Sequence, residues 1–303
     1  MRVTERLRQA LLEDLGAAGD LTSQALVPER KNARADVLVK AAGVLCGMEI
    51  AQQILSLSAQ LAAQCARGRG KSAEASGVRF EAFKRDGERV GRGEIVAAVE
   101  GNARAILAGE RLALNMLCHL SGIASKTAQY TAKVAHTRAK IVDTRKTTPL
   151  WRDLEKYAVR CGGGENHRQG LHDMILIKDN HLALWGMKDP AGAVRAAKQK
   201  FPGVAAQIEV VNLAGLRQVC RHSAPELILL DNFAVPDLRG AVMWCEKYFA
   251  GEGRGRSRPL LEASGGVNLR SVAAIAESGV DRISVGALTH SVEALDISLE
   301  FRA

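Results

Sequence analysis

Between Asp143 and His181 the chain gathers Arg145, Lys146, His167, Arg168, Lys178 and His181 around a Gly162-Gly163-Gly164 turn. Two hydrophobic runs here, Ile141-Val142 and Met174-Ile175-Leu176-Ile177, each end in a charged residue followed at once by loop-type sequence. Parallel α/β proteins present side chains in this way, at the carboxyl ends of their strands. Cations converging there repel one another unless something anionic sits between them. The segment therefore predicts a small, multiply charged anionic ligand.

Later apolar runs end in polar signatures of another kind: Glu209, Asp231-Asn232, Ser264-Gly265-Gly266 and Gly286-Ala287. Backbone N–H groups at Ser264-Gly265-Gly266 and Gly286, each before a helix-like stretch, can cradle a phosphate without a side chain in the way. Loops after the last two strands of a barrel are a common phosphate site. Glu209 and Asp231 suit Mg²⁺ held partly through water, or the hydroxyls of a sugar. Arginines fit planar carboxylates, which they grip by two parallel bonds. Together these features describe a phosphorylated sugar, a divalent ion and a carboxylated second substrate.

Structural readings stand beside these. Asp143 can cap a strand end or pair with Arg145, and the three glycines can be a helix stop after Tyr157. Asn180 and Asn232 suit loop bracing. His172 and His181 lack a clustered third ligand, which argues against zinc.

The elements that must position these residues fall into two textures. Residues 1 to about 24 read as a helix ending in the polar turn Gly19 to Ser23. Alternation over Ala35 to Lys40 and Val78 to Phe83 predicts strands, with a helix over Gly47 to Ala63 between them. A long helix is expected over about Ala105 to Val134, with a possible break near Ser121-Gly122. After Lys140 short apolar strands alternate with amphipathic segments, which implies a parallel sheet with right-handed crossovers. The six strands are Ile141-Val142, Met174 to Ile177, Gln207 to Val211, Leu227 to Leu230, Leu260-Leu261 and Arg282 to Val285. Six fall short of the eight of a closed barrel. The fold class expected is α/β: an N-terminal α/β sandwich domain over 1–112 and a C-terminal open or incomplete α/β barrel over 113–303. The final segment could pack back on the first domain, and a doubly wound open sheet is the alternative to the barrel.

A net charge of +9 admits nucleic-acid or membrane partners as well as a basic cleft for acidic small molecules. With three Tyr, three Trp and six Phe there is little to stack on bases, so no nucleic-acid partner is expected. The basic run Gly251 to Arg258 reads as a solvated loop. No apolar run approaches the roughly 20 residues of a membrane helix, and the start carries no signal-peptide core. The six cysteines are scattered without a CxxC pair, which suggests reduced thiols and a cytoplasmic location.

Several strings in the chain resemble the quinolinate phosphoribosyltransferase family. They include Gly109-Glu110-Arg111, Asp143 to Pro149 (DTRKTTP), Glu155-Lys156-Tyr157-Ala158, Asn166-His167-Arg168, Ile177 to His181 (IKDNH), Leu229 to Phe233 and Val285 to Ser291. The resemblance covers nearly the whole chain. It implies transfer of phosphoribose from phosphoribosyl pyrophosphate (PRPP) to quinolinate, with decarboxylation to nicotinate mononucleotide and a requirement for Mg²⁺. By the same resemblance Arg111, Arg145, His167, Arg168 and Lys178 hold the two quinolinate carboxylates. Lys146 faces the PRPP phosphates, Glu209 and Asp231 serve ribose and metal, and Ser264, Gly265 and Gly286 bind the 5′-phosphate. A homodimer sharing Arg111 across subunits, or a higher oligomer of dimers, is also implied. Nicotinate phosphoribosyltransferase and a paralogue encoded beside molybdate transporters are the related alternatives. A non-catalytic phosphosugar-binding protein is the alternative of another class; Lys146, Glu209 and Asp231 together argue against it. The sequence departs from the family's usual pattern at Leu150, where Gly is usual, and at Gln207, the first position of a Glu-x-Glu pair.

Overall fold

The computed structural model describes residues 2–68, 77–186 and 189–302. The side chain of Cys65 lies outside the described residues, and with it the expectation of a reduced thiol there. In chain order the first elements are α1 (Val3–Leu15), α2 (Leu21–Leu26), β1 (Asn32–Val39), β2 (Gly43–Val44), α3 (Met48–Gly68), β3 (Val78–Ala82), β4 (Arg89–Val90), β5 (Ile95–Asn102) and α4 (Ala103–Val134). Then come β6 (Lys140–Val142), α5 (Arg152–Cys161), β7 (Ile175–Ile177), α6 (Asp179–Trp185), α7 (Pro190–Lys200), β8 (Ala206–Val210) and α8 (Leu213–His222). The chain finishes with β9 (Leu227–Asp231), α9 (Val235–Ala250), β10 (Leu260–Ser264), α10 (Val272–Ala276), β11 (Arg282–Ser284), α11 (Ala287–His290) and β12 (Ile297–Phe301). Two compact units result: Met1–Lys126 with Val292–Ala303, and Thr127–Ser291.

In the first unit an antiparallel sheet runs in the order β12-β1-β5-β3. Ala35, Val37 and Val39 of β1 are buried while their neighbours are not, the period-2 signature of a strand with one covered face. The last strand completes the sheet edge, and Arg302 grips Asp36 by two bonds of 2.7 Å. The polar turn expected to end the first helix instead starts a second: Asp20 caps α2 by accepting the Ser23 N–H at 3.0 Å. Helix α4 is unbroken at Ser121-Gly122, contrary to the sequence expectation. Gly122 serves close approach, because a Cβ there would sit 2.3 Å from the carbonyl oxygen of Glu293. Ser121 Oγ meanwhile accepts the Cys46 N–H at 2.9 Å.

In the second unit six strands form an all-parallel sheet in the order β6-β11-β10-β9-β8-β7, each matching a strand expected from the sequence. Its curvature follows from one contact. His167 lies on the segment that Glu165 bridges to Val142 of β6, yet its ring meets Gln207 on β8 at 2.8 Å. In a flat sheet those strands stand four spacings apart, about 19 Å. The sheet therefore closes on itself, which selects the barrel over the doubly wound alternative. It remains open because β6 and β7 do not pair among the described residues. One expectation needs correction: the 251–258 run is not simply solvated. Arg258 makes two bonds to Asp281, of 3.0 and 2.6 Å, and Arg256 donates to the carbonyls of Arg221 and Ser223.

Candidate active site

Alternation along the barrel strands fixes which residues share a layer. Glu209 and Gln207 are two apart on β8, as are Ser264 and Glu262 on β10, so each pair points to one face of the sheet. Glu209, Asp231 and Ser264 stand at or next to the carboxyl ends of β8, β9 and β10, with Asp231 opposite Ser264 in register. Gln207 and Glu262 are deeper and fully buried.

On the basic side the chain leaves β6 through Asp143, which has no solvent exposure. Its partner is Lys156 from α5, not Arg145 as the sequence suggested. Asp143 also accepts the His167 N–H at 2.9 Å and the Asn166 Nδ2 at 2.5 Å, while Lys156 Nζ donates to the His167 carbonyl at 2.9 Å. Burial pushes the Asp143 carboxyl up and the Lys156 ammonium down from their ordinary values. This pair shapes the backbone of Asn166 and His167 and leaves Arg145 available. Arg152 ties the two loops together, donating to Thr147 Oγ1 at 2.8 Å and the Gln169 carbonyl at 3.2 Å. The glycine turn is the helix stop considered above: Gly163 has φ 83° and Gly164 donates back to Val159 at 3.0 Å.

Arg145 and Arg168 are both half-buried. Burial lowers the pKa of the Arg168 guanidinium, the positive charge of Arg145 lowers it further, and Asp173 acts the other way. Among the described residues Arg145 Nε is buried with no hydrogen-bond partner. Two like charges placed together under partial desolvation are held at a cost that an anion between them removes. On the next strand Lys178 reaches Glu209 at 3.4 Å, the lysine 47% and the carboxylate 12% exposed. The Lys178 N–H is accepted by His181 Nδ1 at 3.0 Å, so His181 caps its own helix. Neither His172 nor His181 belongs to a cluster of three potential metal ligands among the described residues.

The glycine sector is built for close approach. Gly265 has φ +98°, and a Cβ there would lie 2.0 Å from Asn232 Oδ1. Asn232, itself left-handed at φ 55°, donates to Asp231 at 2.8 Å and so braces that carboxylate. A Cβ on Gly286 would come within 3.1 Å of Lys146 Cδ, so the exposed Lys146 passes directly over the last strand's glycine. The second unit thus brings together the ends of β6, β7, β8, β9, β10 and β11. Arg111 is exposed on α4 in the first unit and is not part of that set. His167 is placed differently from expectation: its side chain is 7% exposed and turned inward, with both ring nitrogens engaged by the protein.

Residues 20–121 match the family described as Quinolinate phosphoribosyl transferase, N-terminal domain, and residues 123–300 match its C-terminal domain. The chain belongs to the quinolinate phosphoribosyltransferase family. It is 41% identical over 299 residues to the nicotinate-nucleotide pyrophosphorylase [carboxylating] of Mycobacterium leprae, covering 98% of this chain and 96% of that protein. It is 36% identical to a probable nicotinate-nucleotide pyrophosphorylase [carboxylating] of Bacillus subtilis, covering 99% and 93%. Its fold is similar to the solved nicotinate-nucleotide pyrophosphorylase from Francisella tularensis, with a TM-score of 0.83 at 34% identity, covering 99% and 96%.

Both departures from the quinolinate phosphoribosyltransferase pattern have a structural counterpart. Leu150 adopts φ 68°, so the glycine-type backbone is retained without the glycine. Gln207 sits in a buried polar cluster with His167, Glu262 and Arg282. The sequence reading passed over Glu262, although a lone carboxylate inside the apolar strand Leu260 to Ala263 is a signal in itself. Lys156 and Arg152 were also missed as framework residues, because a charged residue on an amphipathic helix reads first as solvated.

Proposed function

We propose that this chain transfers the phosphoribosyl group of PRPP to quinolinate with loss of carbon dioxide, giving nicotinate mononucleotide and pyrophosphate for NAD biosynthesis. The observation that carries this reading is the Arg145–Arg168 pair: two half-buried guanidinium groups in which burial and the nearby Arg145 charge lower the Arg168 pKa, a strain that an intervening dianion relieves. Quinolinate, a planar dicarboxylate, matches two such groups, and Lys178 adds a third cation at the neighbouring strand end.

PRPP is assigned to the other sector. The N–H groups at Ser264, Gly265 and Gly286 take the 5′-phosphate, Glu209 and Asp231 the ribose, and Lys146 the pyrophosphate. Departure of pyrophosphate leaves positive charge on the ribose carbon, which the two carboxylates stabilise while Lys146 stabilises the leaving anion. Once the new C–N bond forms, the positive pyridinium nitrogen stabilises the electron pair left on the adjacent ring carbon as its carboxylate departs as carbon dioxide, and a proton from solvent then takes the carboxylate's place. That step needs orientation of the ring more than a strong acid or base. Glu209 and Asp231, carboxylates on adjacent strands, fit an oxygen-preferring divalent cation bound partly through water. Mg²⁺ there would neutralise pyrophosphate charge.

Three finer assignments belong to the same proposal: a homodimer, or a higher oligomer of dimers, in which exposed Arg111 serves the partner's site; no nucleic-acid or membrane partner; and a cytoplasmic location. No helix among the described residues is long and apolar enough to cross a membrane. The deciding assay incubates purified protein with quinolinate, PRPP and Mg²⁺ and measures nicotinate mononucleotide. Absence of product, or equal turnover with nicotinate, overturns the reading. Mixing an Arg111→Ala variant with a Lys146→Ala variant tests sharing across subunits: recovered activity supports it, and none rejects it.

A further inference from the structure

Strands β6 and β11 pair in parallel, with Val142 opposite Ser284, so the loops that leave their carboxyl ends emerge side by side. Lys146 sits on the first loop, at the centre of a three-residue turn that the Thr147 N–H closes on the Arg145 carbonyl at 2.9 Å. Such a turn uses the groups on either side of Lys146 and leaves its own N–H and carbonyl to find partners elsewhere. Both find a threonine. The Lys146 N–H donates to Thr144 Oγ1 at 3.1 Å, and the Lys146 carbonyl accepts from Thr289 Oγ1 at 2.7 Å. Thr289 stands on α11, 143 residues away in the chain, and is 4% exposed. Its oxygen also lies 3.3 Å from the Gly286 carbonyl, but a hydroxyl carries one proton and the Lys146 carbonyl is the nearer acceptor. The Lys146 stem crosses Gly286, where a Cβ would come within 3.1 Å of its Cδ. Carbonyl and stem are thus set against the start of α11 while the residue as a whole stays exposed.

We propose that Thr289 is a positioning residue for Lys146: its hydroxyl fixes the Lys146 peptide plane, and with it the direction from which the ammonium meets the leaving pyrophosphate. The role of the lysine rests on the phosphoribosyl-transfer reading; the hydrogen bond does not. A lysine has a long flexible stem, and a leaving group is stabilised only by charge already in place as the bond breaks. Fixing the base of the stem removes part of that freedom. A methyl alone would fill the space at Thr289, whereas the bond to a carbonyl on another loop needs the hydroxyl. Gly286, three residues before Thr289, belongs to the proposed 5′-phosphate cradle. One short segment therefore registers the lysine for the leaving group against the anchor of the sugar phosphate.

The test compares Thr289→Val, which keeps the shape and loses the donor, with Thr289→Ser, which keeps the donor. The kcat/KM for PRPP should fall about tenfold in Thr289→Val and return to within about threefold in Thr289→Ser. Quinolinate binding, followed by calorimetry, should stay within about twofold in both. Adding Thr289→Val to Lys146→Ala should cost less than about twofold beyond Lys146→Ala alone, because the hydroxyl then has no ammonium to direct. Equal loss in the Val and Ser variants, a parallel loss of quinolinate affinity, or additive losses in the double variant rejects positioning in favour of general loosening. Thr289→Ala removes the same donor should Thr289→Val not fold. NMR of protein labelled with carbonyl-¹³C lysine reads the hydrogen bond itself, with the Lys146 signal identified by its loss in Lys146→Ala. That signal should move in Thr289→Val and hold in Thr289→Ser; an unmoved signal overturns the proposal. A signal that moves as expected in a protein that makes no nicotinate mononucleotide sinks the functional reading and leaves the hydrogen bond standing.

Discussion

Lys156, entering from α5, meets Asp143 at the end of β6 with both side chains sealed from solvent. The pair holds the turn through Asn166 and His167 and so governs how the basic sector is presented. Removing one member leaves the other as an uncompensated buried charge. Lys156→Ala is therefore expected to destabilise the protein by about 3–5 kcal/mol, measured by urea unfolding. Replacing both residues by apolar ones of similar volume should cost markedly less than the sum of the single changes.

Arg145→Ala removes one of the two guanidinium groups that flank the expected dicarboxylate. A loss of about 2–4 kcal/mol in kcat/KM for quinolinate is expected. Unchanged kinetics in a folded variant would take Arg145 out of the site.

At Gly265 both φ and space exclude a side chain, since a Cβ would collide with Asn232 Oδ1. Gly265→Ala should cost about 1–2 kcal/mol from the backbone alone. Because the displaced Asn232 braces Asp231, the KM for PRPP is expected to rise more than the KM for quinolinate. Steady-state kinetics with each substrate varied in turn will show whether that order holds.

Leu150 occupies a left-handed conformation that favours glycine. Leu150→Gly is expected to stabilise the chain by about 0.5–1 kcal/mol, because relief of the backbone outweighs the added freedom of the unfolded state. Leu150→Ala should give no such gain. Thermal unfolding of the two variants side by side is the measurement.

Asp173 accepts the Gln169 N–H at 2.6 Å and the Gly170 N–H at 2.8 Å. Burial opposes its ionisation, but these N–H groups hold its carboxyl below the ordinary value. A depressed folded value means the stabilisation is complete above the unfolded value of about 4 and is lost as pH falls through the lower folded one. Backbone amides at Gln169 and Gly170 are thus expected to exchange faster only below about pH 4. Hydrogen exchange between pH 3 and 7 measures it, and a change centred near neutrality would contradict the assignment.

Much of this was legible in the residues. Strand and helix periodicity marked all six barrel strands, and strand ends carrying Arg145, Lys178, Glu209, Asp231, Ser264 and Gly286 divided into a basic and a phosphate sector. These are local signals: alternation, glycine placement and charge at the end of an apolar run depend on neighbours in the chain. Partners distant in sequence were not legible. Asp143 could as well have met Arg145 as Lys156, His167 could as well have faced a ligand as Gln207, and Ser121-Gly122 could as well have broken a helix as admitted the backbone at Glu293. The packing of α5 on the end of β6 decided the first, the closing of the sheet the second by bringing the His167 segment within hydrogen-bond reach of β8, and the approach of Glu293 to α4 the third. Burial then favours partners distant in sequence for the polar groups caught inside, as between His167 and Gln207, and leaves a few atoms, such as Arg145 Nε, without one.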